Sequence, residues 1–81
     1  MRRYWLTFER LDRPHPINLG CGVTAHDYDD ALTLVRDAFS GLTLGAPLTF
    51  VENVDVSTLN DKHVRPNMGD VSVRGVWWPL A

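Results

Sequence analysis

The chain has one cysteine, Cys21, so it cannot staple itself with a disulfide. Small secreted domains normally depend on such staples, and the expected compartment is therefore the reducing cytoplasm. It also lacks a surplus of positive charge: eight Lys and Arg stand against ten Asp and Glu, for a net charge of −2. Nucleic-acid and anionic-membrane binders need a cationic surface, so neither partner is expected. Arg2 and Arg3 are two local charges that read as a solvated chain start. No apolar run approaches the roughly 18–20 residues that span a bilayer. Met1–Glu9 lacks a continuous apolar segment and a small-residue cleavage site, so no signal peptide is expected. Repeats, low-complexity tracts and linkers are missing as well, and the 81 residues read as one domain over 1–81. A domain of this size buries only about 60–65% of the surface its unfolded chain exposes, so large side chains must carry the core.

Signatures of chemistry are also missing. The glycines of "GCG" at 20–22 alternate along an extended run and match neither a dinucleotide fingerprint nor a P-loop. Cys21, His15, His26 and His63 are metal-ligating types without the short paired spacing of a zinc site. Asp27, Asp29 and Asp30 beside His26 lack the glycine and distal Glu of a calcium loop, and acidic residues at a helix start complement its dipole. Ser40, Ser57 and Ser72 have no nucleophile-elbow context. Cys21 lies mid-strand on an apolar face, where cysteine acts as a small hydrophobe. No catalytic residue, metal ligand or cofactor is assigned.

What is present is an architecture. "RRYWLTFER" alternates as a strand, with Tyr4, Leu6 and Phe8 on one face and Trp5, Thr7 and Glu9 on the other. Pro14 and Pro16 break it, and "INLGCGVTA" returns as a second strand with Leu19, Cys21, Val23 and Ala25 on one face. "HDYDDALTLVRDAFSG" is a helix. Asp27 is its N-cap and Asp30 the N3 partner, and Tyr28, Ala31, Leu32, Val35, Ala38 and Phe39 form its apolar stripe, with Gly41 at the C′ position. "LTFVENVDV" and "VSVRGVWWP" supply two more strands, the last stopped by Pro79. The ββαββ order predicts an α+β two-layer sandwich, a mostly antiparallel four-stranded sheet with one helix on one face.

One helix covers one face. Val71, Val73 and Trp77 of the last strand are expected beneath it, leaving Ser72, Arg74, Val76 and Trp78 on the open face beside Trp5. A one-residue bulge at Gly75 would exchange Trp77 with Trp78, because register has period two. Two bare tryptophans in a small domain need a cover. One cover is internal: Trp5 can lie across Gly20 and Gly22, which offer no side chains on that face. The other is a partner, which makes Trp5, Arg74, Val76 and Trp78 the candidate protein-binding or homodimer surface, Trp and Arg being favoured at hot spots. A second candidate is the polar stretch between the last two strands, where His63, Arg65 and Asn67 are the residues to expect at a ligand. Its alternative is structural, with Leu59, Val64 and Met68 docking it on the sheet.

"LGCGVTAHDYDDAL" and "DVSTLNDKHVRPNMG…RGVWWP" resemble a group of small bacterial proteins of unassigned function. The resemblance implies recurring roles for the Gly-Cys-Gly strand and the Pro66–Gly69 turn, and no activity. The ββαβ order also resembles β-grasp domains, but "WWPLA" lacks the terminal Gly-Gly of conjugated carriers. The expected function is a small protein-interaction module, whether adaptor, inhibitor or self-associating subunit. The alternative is a small enzyme or ligand binder built on residues 57–69.

Overall fold

A computed structural model describes residues 1–80. Strands β1 (Arg2–Thr7), β2 (Cys21–Ala25), β3 (Thr49–Glu52) and β4 (Gly75–Trp78) form one antiparallel sheet in the order β3-β1-β2-β4. The one α-helix among the described residues, α1 (Tyr28–Ala38), lies on one face, and the fold is α+β.

The helix begins where the sequence predicts. Asp27 Oδ1 accepts the Asp30 N–H at 2.8 Å, and Asp30 Oδ2 accepts the His26 N–H at 3.0 Å. The Asp30 N–H, a donor that a helix start leaves unpaired, is thus satisfied, and the second bond ties the residue before the cap to the first turn. The far end differs from expectation. Phe39 is the C-cap, and Gly41 is not among the positive-φ residues. Ala31 and Val35 face Tyr4, Leu6, Cys21, Val23 and Ala25, closed at the ends by Phe8, Ile17 and Phe39. These are the faces the alternation assigns to β1 and β2.

Two boundaries are shorter than predicted, each for a local reason. The second strand starts at Cys21, because Pro16–Leu19 forms a 3-10 turn capped by His15, whose Nδ1 accepts the Ile17 N–H at 3.1 Å. Ile17 is buried by that turn and Leu19 is turned outward, against its expected place under the helix. Gly20 makes the exit with φ 132°, a conformation that disfavours any residue with a Cβ. The last strand starts at Gly75, because the Asp70 carboxylate accepts from the Ser72 N–H and hydroxyl and curls 70–74 into a turn. Val73 is consequently exposed, not beneath the helix.

The face opposite the helix is not open. It carries a second apolar cluster of Val54, Val64, Trp77 and Trp78, with Trp5, Val56, Leu59, Met68 and Val71 packed against it. The cover is irregular chain from 53 to 73, with 3-10 turns at Val56–Thr58 and Arg65–Asn67. Several of its polar side chains bind its own backbone. Asn60 Oδ1 accepts the N–H groups of Lys62 and His63, and Asn67 Nδ2 donates to the His63 carbonyl at 2.9 Å. The sandwich is therefore helix, sheet and a third layer of folded loop.

Candidate functional site

The tryptophans are internal. Gly22 pairs with Trp78 but Val23 pairs with Val76, so Trp77 is the extra residue of a bulge on β4. The irregularity lies at Trp77, not at Gly75 as anticipated. It places both Trp77 and Trp78 on the side away from the helix and leaves Val76 on the helix side. Trp5 stacks on Trp78, centroids 5.8 Å apart at 28°, and lies 6.1 Å from Trp77. A Cβ on Gly20 would meet the Trp5 ring, and one on Gly22 would meet the Trp77 ring. The two glycines are the floor on which the indoles lie.

This geometry corrects the expected contact surface. Trp78 is only 4% exposed, Trp5 is partly buried beside it, and Val76 packs on the opposite face. Arg74 belongs to neither group: its Nε donates to Asp30 Oδ2 at 2.9 Å, tying the turn before β4 to the first turn of α1. Arg74 and the His26 N–H together hold the Asp30 carboxyl well below the usual carboxylate range. Trp5, Arg74, Val76 and Trp78 thus do not share an accessible face.

The loop residues are divided. His63 and Asn67 line one groove of about 510 Å³ with Leu19, Trp78, Pro79 and Leu80. Arg65 lines another depression with Ser57, Asp61 and Pro66. Cys21 is buried in the helix-side core, and burial pushes its thiol up to about 12. It stays protonated at neutral pH, which is the wrong state for a nucleophile or metal ligand. His15 is spent as a turn cap. Among the described residues, no three or more His, Cys, Asp or Glu side chains gather where they could hold a metal. Among them too, no helix is long and apolar enough to cross a membrane.

The most exposed apolar run on a regular element was missed from sequence. Leu48 is 64%, Phe50 52% and Val51 50% exposed, all on or beside β3. Phe50 opposes Leu6 and lies 4.7 Å from the Tyr28 ring on the helix side, while Val51 opposes Trp5 on the other side. β3 ends the sheet, so among the described residues no strand pairs with its backbone along its outer side. The signal available was "LTFVE" itself, a β-forming run without Lys or Pro. Its place at an edge depends on strand order, which local patterning does not encode. At the other edge the Trp77 carbonyl is taken by the Gly69 N–H at 2.8 Å.

Comparison with family models, curated proteins and solved structures finds no match to this chain.

Proposed function

We propose that this protein is a small interaction module whose contact element is the outer edge of β3, not a sheet face. The observation that carries the reading is the edge itself. Its unpaired backbone groups are a template for an added strand, and its apolar side chains are half or more exposed on both faces. Isolated domains usually blunt such edges with Lys, Pro, a bulge or an inward charge. Here Pro47 precedes the strand and the single charge on it, Glu52, is already paired with Arg2 across to β1. The test is binding by wild type against a Leu48→Lys/Val51→Lys double variant, in capture from native lysate and in self-association. Interactions lost only in the variant support the reading. Equal behaviour of the two proteins in both assays overturns it.

A second reading rests on the groove at His63 and Asn67. It is lined by apolar side chains and by two polar ones, with a volume in the range of small-molecule sites. The groove supports binding of a small amphipathic ligand and offers no set of groups for catalysis. His63→Ala with Asn67→Ala, compared with wild type in a fragment screen by NMR, tests it: hits that persist in the variant overturn it.

A further inference from the structure

We infer that residues 55–68 form a lid, and that the indole bed beneath them binds a flat heteroaromatic ligand carrying a hydrogen-bond acceptor. The site is separate from the β3 edge and does not rest on it. Two independent observations carry it.

The first is an orphaned donor. Trp77 is 1% exposed and its Nε1 is closed to solvent, yet among the described residues it has no hydrogen-bond partner. A buried indole N–H is normally paired, and leaving it unpaired costs stability. The Cε3–Cζ3–Cη2 edge of the ring lies over Gly22, so the side that carries Nε1 is turned away from that floor. Among the side chains of the cluster only the Met68 thioether can accept, and weakly. A flat ligand between the indoles and their cover supplies what this core lacks. Its acceptor takes the Trp77 N–H, and its faces stack on the rings of Trp5, Trp77 and Trp78.

The second is how the cover is attached. Its ends are tied to the sheet: the Val54 N–H donates to the Arg3 carbonyl at 3.1 Å, and the Gly69 N–H to the Trp77 carbonyl at 2.8 Å. Just beyond, the Thr24 hydroxyl donates to the Val71 carbonyl at 2.6 Å. Between those ties, residues 55–68 hydrogen-bond only to one another among the described residues. The Asn60 carbonyl accepts the Val64 and Arg65 N–H groups, and the Asn60 and Asn67 side chains close the same turn. Toward the indoles the segment offers only apolar contacts, from Val56, Leu59, Val64 and Met68. Hollows flank it: His63 and Asn67 line one with Trp78, and Asp61 and Arg65 line the other with Val56 and Met68. A unit bonded within itself, tied at both ends and docked by apolar side chains alone can lift as one body without breaking a hydrogen bond to the sheet. The ligand binds the lifted form and draws the population toward it.

The test is a titration of the whole protein with quinoline, which can only accept a hydrogen bond, and with indole, a bicycle of similar size that can only donate one. Proton–nitrogen NMR follows the Trp77 indole N–H. The expected result is a saturable downfield shift with quinoline and an affinity at least about tenfold weaker for indole. Val64→Ala removes the most buried contact of the lid, and it should raise quinoline affinity at least about threefold by populating the lifted form. Near-UV dichroism reports whether that variant keeps its fold, and Leu59→Ala, at a partly buried site, replaces it if it does not. A Trp77 N–H that stays unmoved at millimolar quinoline overturns the proposal. So does binding that moves only the signals of His63, Asn67 and Leu80, which puts the ligand in the surface groove. Equal affinities for the two bicycles remove the acceptor from the argument and overturn the ligand class. A folded lid variant that binds quinoline no better than wild type overturns the lid.

Discussion

The two faces of the sheet are covered by different means. Under α1, the cover is a regular element whose Ala31 and Val35 repeat at helical spacing and meet Tyr4, Leu6, Cys21 and Val23. On the other face the cover is irregular chain, and three indoles do the filling. A helix supplies many modest side chains at fixed spacing, and losing one leaves its neighbours in place. A loop supplies little area per residue, so the sheet must provide it in a few large rings seated on glycine. The helix side is distributed and the loop side is concentrated.

The strongest way to break that contrast is to remove one residue from each side. Trp77→Ala is expected to cost about 3–5 kcal/mol and Val35→Ala about half of that, by urea unfolding at pH 7. Trp77 is 1% exposed and spans the loop-side cluster, whereas Val35 has neighbours on both flanks. Equal costs would mean that the loop layer contributes no more per residue than the helix. Amide exchange should separate the sides too, with residues 56–68 losing protection in Trp77→Ala while α1 keeps its own.

Gly22→Ala probes the same cluster from beneath. The added methyl meets the Trp77 ring, and overpacking of this kind costs about 1–3 kcal/mol. The paired change Gly22→Ala with Trp77→Leu should recover part of the loss, because the smaller side chain vacates the space the methyl needs. A double-mutant cycle measures that recovery, and strict additivity would show that the glycine and the indole are not coupled.

The helix side was legible because its rules are local. Asp27 and Asp30 announce the cap, and Ala31, Val35 and Phe39 recur where a 3.6-residue period requires them. The alternation of Tyr4, Leu6, Cys21 and Val23 is equally local, since β1 and β2 are neighbours in sequence and space. The loop side was half legible. Glycines facing aromatics suggested an internal seat for Trp5, and Leu59, Val64 and Met68 suggested docking. That all of them meet on one face depends on a bulge that breaks period two at Trp77, and on long-range packing of residues 53–73. The β3 edge was not legible, because "LTFVE" would read the same in a central strand.

Alkaline pH addresses the helix side alone. Burial raises the Cys21 thiol to about 12, while an unfolded chain holds it near 8.5. The folded state then keeps a proton that the unfolded state releases, so this contribution is complete below about 8.5 and is lost as pH rises toward 12. The expected loss is up to about 1.4 kcal/mol per pH unit above 9. Comparing wild type with Cys21→Ala isolates it from other titrating groups. Parallel stability curves for the two proteins between pH 8 and 10 would contradict the burial argument.

The smallest effect sharpens the comparison at the seam between the faces. Arg74, just beyond the covering segment, holds Asp30 on the helix, so this ion pair ties the turn that follows the loop layer to α1. Asp30 is held below its ordinary value by the Arg74 guanidinium first and the His26 N–H second. A lowered carboxyl contributes stability that is present above its unfolded value near 4 and is lost as pH falls below it. Asp30→Asn should therefore be less stable than wild type at pH 7, and the two should converge as pH drops from about 4 toward 2. Arg74→Met should remove much of the same difference while sparing the Asp27 cap, because the His26 N–H remains with Asp30. If Arg74→Met shifts the acid limb no further than a neutral change at the unpaired, exposed Val73, the tie is only a surface contact, and the two faces are joined through the sheet alone.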